Sequence, residues 1–254
     1  MSYQIQQDGK FRYLEKGEGR VIMILHGLFG ALSNFDGVIG HFSKTHKVVV
    51  PLMPLYDMPI TKTSVKNLAK YIEDFVDHKG YKDVILLGNS LGGHVALVYT
   101  LKRMEKVGAM VLTGSSGLYE NAFGGSFPRR SDKDYIRGKI AVTFHDPAMV
   151  TDELVDVVFD LVSDRGKLLK VLYLAKSAIR HNMRDELPNY KMPVCLIWGK
   201  NDTITPPEVA EEFNEFLPDS DLFWIDKCAH APMMEHPETF NGILDGWLKQ
   251  RGLV

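Results

Sequence analysis

Val84-Ile85-Leu86-Leu87-Gly88-Asn89-Ser90-Leu91-Gly92-Gly93 joins a continuous apolar run to a glycine-flanked serine and then to an apolar-rich stretch reaching Met104. The run Val84 to Leu87 reads as a buried strand. Leu91 to Met104, carrying Val95, Ala96, Val98, Tyr99 and Leu101, reads as a helix. The connection between them has the form G-x-S-x-G. A strand-to-helix turn this tight leaves no room for side chains two residues either side of the serine, which explains Gly88 and Gly92. It also holds the serine in a strained conformation that lifts its Oγ above the sheet. Ser90 is therefore a candidate nucleophile.

Outward from this turn the same alternation repeats. Val21 to Leu25, Lys47 to Val50, Val107 to Leu112, Val194 to Trp198 and Asp221 to Ile225 are further short apolar runs. A hairpin around Phe11-Arg12-Tyr13-Leu14 is expected to cover one sheet edge. Helical patterns fill the gaps: Ser64 caps a run with Val65, Leu68, Ala69, Ile72, Phe75 and Val76 on one face. Pro207 to Phe216 opens with a first-turn proline, and a last helix spans about Pro237 to Lys249. Strands alternating with helices predict an α/β fold with a mostly parallel sheet flanked by helices.

One segment breaks the alternation. Roughly 80 residues between Thr113 and Val194 contain no clear strand. They begin with the glycine- and serine-rich Gly114 to Ser126, then turn helical, with Thr151 capping a run through Leu154, Val155, Val158, Phe159 and Val162. A structureless loop of that length is improbable. The reading is a helical cap or lid over residues 117–188, inserted in a core formed by 1–116 and 189–254. Its apolar face is expected to form the acyl-side wall, with Phe159 and Leu172 as contact residues.

Two other strand ends carry ionisable residues. Trp198-Gly199-Lys200-Asn201-Asp202 places a carboxylate just beyond one strand, and Cys228-Ala229-His230 places an imidazole just beyond the next. In an open α/β sheet the carboxyl ends of the strands share one crevice, so Ser90, Asp202 and His230 can converge. His230 would then take the Ser90 proton and Asp202 would fix its tautomer. His26-Gly27-Leu28-Phe29-Gly30 follows the first long strand and suits a loop that presents N–H groups to an oxyanion. The expected donors are the backbone N–H groups of Leu28 and Leu91, the second aided by the helix dipole. His26 is read as structural, Asp226 as a turn residue, and Asp57 as having no role. His94, His145 and His181 read as ordinary polar or helix-face residues without metal-ligand spacing. Cys228 lacks a second histidine to activate it.

Composition excludes several function classes. With 30 basic and 32 acidic residues the net charge is −2, and no basic block tracks phosphates, so no nucleic-acid partner is expected. No apolar stretch is long enough to span a membrane, and the first nine residues lack a signal-peptide pattern. Two cysteines, Cys195 and Cys228, exclude a disulfide scaffold and fit a cytoplasmic location.

Together these residues resemble the α/β-hydrolase superfamily over nearly the whole chain outside the lid. The resemblance implies an eight-stranded mostly parallel sheet, a cap after the sixth strand, and a water-using hydrolase with no cofactor and no metal. Serine at position 90 departs from the dehalogenase and epoxide hydrolase branches, which use aspartate there. Ser33-Asn34-Phe35, Gly88-Asn89-Ser90 and Lys227-Cys228 look like the meta-cleavage-product hydrolases, which cut carbon–carbon bonds in dienoic acids. That branch, however, has an aromatic residue where this chain has Ala231, and a cap arginine with no clear counterpart here. The expected function is a serine hydrolase (carboxylesterase-like) acting on small or medium esters or thioesters, as a monomer or homodimer. The alternatives are a dienoic-acid C–C hydrolase and a hydrolase-fold ligand receptor with slow turnover.

Overall fold

Apolar runs buried on both faces can pair only in the interior of a sheet covered by helices on both sides, and the chain folds that way. The computed structural model describes residues 3–30, 32–121, 127 and 129–254. Residues 122–126 of the glycine- and serine-rich stretch, and the first two of the chain, lie outside the described residues. The strands are β1 (Gln6–Asp8), β2 (Phe11–Lys16), β3 (Val21–Leu25), β4 (Lys47–Pro51), β5 (Val84–Asn89), β6 (Val107–Thr113), β7 (Val194–Gly199) and β8 (Ser220–Ile225). They form one sheet in the order β1-β2-β4-β3-β5-β6-β7-β8. The hairpin β1–β2 lies antiparallel at one edge, and every pairing from β4 to β8 is parallel.

The helices are α1 (Asp36–Phe42), α2 (Val65–Lys79), α3 (Leu91–Lys102), α4 (Lys133–Ala141), α5 (Asp152–Ser163), α6 (Arg165–Arg180), α7 (Pro207–Phe216), α8 (Pro232–Glu235) and α9 (Pro237–Gln250). Strand alternation sorts the core into two layers. Met23, Leu25 and Leu86 pack with α2, α3 and α7, while Ile22, Ile24, Ile85 and Leu87 pack with α1 and α9. Each such side chain is fully buried, a contribution of about 1.5–3 kcal/mol apiece before entropy is counted. Helix α2 shows the local determinants clearly. The Ser64 hydroxyl accepts from the Asn67 N–H at 3.3 Å, and Gly80 ends the helix at φ +67°. Helix α3 is instead buried from Leu91 through Thr100, because it is wedged between the sheet and α2. It ends at Lys102, and the chain up to Lys106 tightens into a 3₁₀ turn.

Between β6 and β7 the described residues hold α4, α5, α6 and short 3₁₀ turns, with no strand. Side-chain caps start each of the three helices. Asp132 accepts from the Asp134 and Tyr135 N–H groups, Thr151 from Leu154, and Asp164 from Gly166 and Lys167. Among the described residues no helix is long and apolar enough to cross a membrane.

Candidate active site

The site forms where β3, β5, β6, β7 and β8 end. At the turn after β5, Ser90 takes φ +54° and ψ −123°, left-handed backbone that a residue with a side chain rarely adopts. Its glycine neighbours are compelled by contact. A Cβ on Gly88 would lie 2.5 Å from the Gly93 Cα, and one on Gly92 would lie 1.9 Å from the Leu25 carbonyl oxygen. Hydrogen bonds pin the turn. The Ser90 N–H donates to the Thr113 carbonyl at 3.2 Å, and the Ser90 carbonyl accepts from Gly93, His94 and Ser116.

Asp202 and His230 meet across 28 residues of sequence. The His230 Nδ1 lies 2.9 Å from the Asp202 Oδ2, and both side chains are buried. Asp202 is itself held on three sides. Its Oδ1 accepts from the Ile204 and Thr205 N–H groups, and its Oδ2 accepts from the Thr205 hydroxyl at 2.8 Å. This is an Asx turn, so the loop after β7 aims the carboxylate before any partner arrives. The Trp198 indole N–H donates to the Thr205 carbonyl at 2.8 Å and fixes the loop to its strand. His230 is placed by its backbone, whose N–H donates to Thr143 at 3.0 Å and whose carbonyl accepts from the Asn89 side chain at 3.1 Å. Gly114, at φ +50°, lets the end of β6 approach, since a Cβ there would lie 2.9 Å from the His230 Nδ1.

Electrostatics follow from this packing. Burial pushes the His230 imidazole toward its neutral form, but the Asp202 charge and hydrogen bond, with Glu120 adding to them, raise its pKa above 6.5 overall. His230 and the half-buried Ser90 line one open cavity, together with Leu28, Leu91, Ser116 and Glu120. A Cβ on Gly27 would lie 3.3 Å from the Ser90 Cβ, so the loop after β3 flanks the serine directly. That loop is closed by Gly30 donating to Gly27 at 3.1 Å and anchored by the Tyr56 hydroxyl on the Leu28 carbonyl at 2.5 Å. The backbone N–H groups of Leu28 and Leu91 donate to no group among the described residues.

The remaining sequence expectations divide. His26 is buried with its Nδ1 on the Gly27 carbonyl, outside the cavity wall. Asp226 is exposed, 3.9 Å from the Lys200 ammonium. Cys228 is buried, and burial, with Glu235 next, pushes its thiol well above the ordinary range. His94 differs from the expected helix-face residue. It is fully buried, its Nε2 lies 3.0 Å from the His181 Nδ1, and burial holds its pKa down at about 3. Phe159 and Leu172 also differ from expectation, since Leu154, Val158, Ala175 and Ile179 face the cavity instead. Both are partly buried against the apolar cluster to which α4–α6 contribute, with the Lys133 Nζ 5.3 Å from the centre of the Phe159 ring. Four supporting residues escaped sequence reasoning: Tyr56, Ser116, Glu120 and Thr205. Only Thr205 had a local signal, since Asp202-Thr203-Ile204-Thr205 is an Asx-turn sequence.

Comparison with known proteins agrees with this fold. An α/β hydrolase enzyme from the metagenome of sediments of the Mar Chica lagoon, Morocco, is 54% identical, with 98% of this chain and 99% of that one covered and a TM-score of 0.82. A 2-hydroxy-6-oxononadienedioate/2-hydroxy-6-oxononatrienedioate hydrolase of Comamonas testosteroni is 25% identical, covering 89% of this chain and 87% of its own length. The uncharacterized hydrolase YugF of Bacillus subtilis (strain 168) is also 25% identical, covering 95% and 96%. A point mutant of the meta-cleavage product hydrolase CumD shares the fold at 21% identity, with a TM-score of 0.85 and 98% of each chain covered. The profile of the α/β hydrolase fold family matches residues 20–149 and 171–237, and the chain belongs to that family of enzymes.

Proposed function

We propose that this enzyme is a serine hydrolase of small or medium carboxylic esters or thioesters. The observation that carries the reading is that a strained Ser90 lines the same cavity as a buried His230 already hydrogen-bonded to Asp202. His230 accepts the Ser90 proton as the Oγ attacks the acyl carbonyl, and Asp202 stabilises the imidazolium that forms. The N–H groups of Leu28 and Leu91 donate to the oxyanion. They line the cavity without protein acceptors among the described residues, so no bond must break when the charge develops. The imidazolium then protonates the leaving alcohol or thiol. A water molecule, deprotonated by the same histidine, releases the acid and regenerates Ser90.

The cavity encloses about 110 Å³. A cavity of ~150 Å³ admits a benzene ring, so this space suits a short acyl group. Residues 117–188 serve in this reading as the cap, with α4–α6 supplying the acyl-side wall. The test is burst kinetics with p-nitrophenyl butyrate alongside fluorophosphonate labelling. A stoichiometric burst with the label on Ser90 supports the proposal, and labelling elsewhere overturns it.

A second reading, C–C hydrolysis of dienoic acids, draws support from the names of relatives such as the Comamonas testosteroni enzyme. Against it stand Ala231 directly after His230, where that branch has an aromatic residue, and the carboxyl group of Glu120 in a cavity that Lys139 also lines. Turnover of a 2-hydroxy-6-oxo-dienoate faster than of p-nitrophenyl butyrate would reverse the order of the two readings.

A further inference from the structure

One carboxylate in the cavity has no part in the chemistry just described. Glu120 follows β6 by a few residues and lines the same cavity as Ser90 and His230. It is clamped in place from both sides. The Ser116 hydroxyl donates to its Oε2, and the Ser116 N–H donates to the Ser90 carbonyl at 3.1 Å. On the other side the Asn121 N–H donates to the Ile204 carbonyl, and its side-chain amide donates to the Thr203 carbonyl, each at 2.7 Å. Glu120 is thus held between the nucleophile turn and the Asp202 loop, at the polar end of a largely apolar space.

Orienting the imidazole does not explain it, because Asp202 already occupies the His230 Nδ1. No Lys or Arg forms an ion pair with Glu120 among the described residues. The cation that lines the cavity, Lys139 of α4, lies with its Nζ 5.8 Å from the centre of the Tyr135 ring. A fixed, unpaired carboxylate beside the reacting centre has its largest effect on the charge of whatever enters, since water there is displaced and screening is weak.

We propose that Glu120 sets substrate specificity: its carboxylate excludes acyl groups that carry negative charge near the scissile carbonyl and admits neutral and cationic ones. This rests on the esterase reading and narrows it by substrate charge. The titratable group that acts on Glu120 is His230, and Lys139 lines the same cavity with its ammonium over the Tyr135 ring. Burial raises the Glu120 pKa, while the Ser116 hydrogen bond and the His230 charge pull it back.

The experiment measures kcat/KM for p-nitrophenyl butyrate, mono-p-nitrophenyl glutarate and p-nitrophenyl 4-(trimethylammonio)butyrate. Wild type and Glu120→Gln are compared at about pH 8.5, on the alkaline side of the ordinary carboxylate range, to favour the ionised form. Glutamine keeps the length of the side chain and an acceptor oxygen for Ser116. The neutral-to-anionic ratio is expected to fall about tenfold or more in Glu120→Gln, and the cationic-to-neutral ratio to fall with it. Each ratio is taken within one preparation, so a smaller folded fraction cancels. Ratios unchanged to within about twofold, with all three esters affected alike, would make Glu120 a structural pin and overturn the proposal. Wild-type turnover of the neutral ester judges the esterase reading separately. If no ester is turned over, the calorimetric Kd values of butylboronic acid and a carboxylated analogue, on the same two proteins, still decide the charge filter.

Discussion

The two walls of the cavity are built on opposite principles. The wall at the sheet end consists of turns packed to contact, where Gly88, Gly92 and Gly114 admit no Cβ and Asp202 accepts four hydrogen bonds. The facing wall consists of α4–α6, capped helices that present aliphatic side chains inward and leave Val142, Val157, Leu169 and Tyr173 44–56% exposed. Chemistry that depends on tenths of an ångström sits on the first wall. The second wall can vary in size without moving the turns that hold Ser90, Asp202 and His230.

Four experiments would break or sharpen this contrast. The largest effect belongs to the rigid wall. Ser90→Ala should lose about 10³-fold or more in kcat on any ester, with its melting temperature close to wild type. A variant that retains burst kinetics would remove Ser90 from the mechanism.

Asp202→Asn should follow, at about 10²-fold or more in kcat, because the amide no longer stabilises the imidazolium. Its pH profile carries the sign. The base works as neutral imidazole, so wild-type kcat/KM should rise with pH through an inflection above 6.5, the direction in which Asp202 and Glu120 move His230. In Asp202→Asn burial remains while the Asp202 charge and its hydrogen bond are lost, so the inflection should move to lower pH. An unmoved inflection would mean that another group is being titrated.

The third comparison pits a glycine from each wall against alanine. Gly92→Ala places a methyl 1.9 Å from the Leu25 carbonyl and should cost about 3 kcal/mol or more in denaturant unfolding. Gly138, inside α4, has nothing within 4 Å of a new Cβ, so Gly138→Ala should stabilise by about 0.5–1 kcal/mol. Equal effects at the two sites would contradict the difference in packing.

The smallest effect lies on the helical wall. Ile179→Ala or Val158→Ala should shift the acyl-length preference across p-nitrophenyl acetate to octanoate by about 1 kcal/mol and leave acetate turnover nearly unchanged. Phe159→Ala, outside the cavity wall, should alter stability and leave the preference alone. A uniform loss at every chain length would make this wall a stability element only.

Much of the rigid wall was readable from the chain. G-x-S-x-G after an apolar strand identifies a sterically compelled turn, and the strand-end positions of Asp202 and His230 follow from parallel-sheet geometry. The helical wall was readable only as helix. Period 3.6 marks the apolar face of α5 without saying which part of it meets the core and which the cavity. Phe159 was therefore misplaced, while Leu154 and Val158 of the same helix face the site, and on α6 Ala175 and Ile179 face it in place of Leu172. His94 was misread for a related reason. A helix packed between the sheet and α2 is buried nearly all round, and a histidine on it finds its partner, His181, 87 residues away.

The sequence by itself determined the α/β order, the strained turn at Ser90 and the strand-end positions of Asp202 and His230, because each depends on local sterics or on strand direction. Tertiary structure alone decided where Glu120, Ser116, Tyr56 and the side chains of α4–α6 stand. Their positions are set by contacts between segments distant in sequence, such as Asn121 on Thr203 and Tyr56 on Leu28, and no local pattern encodes those meetings.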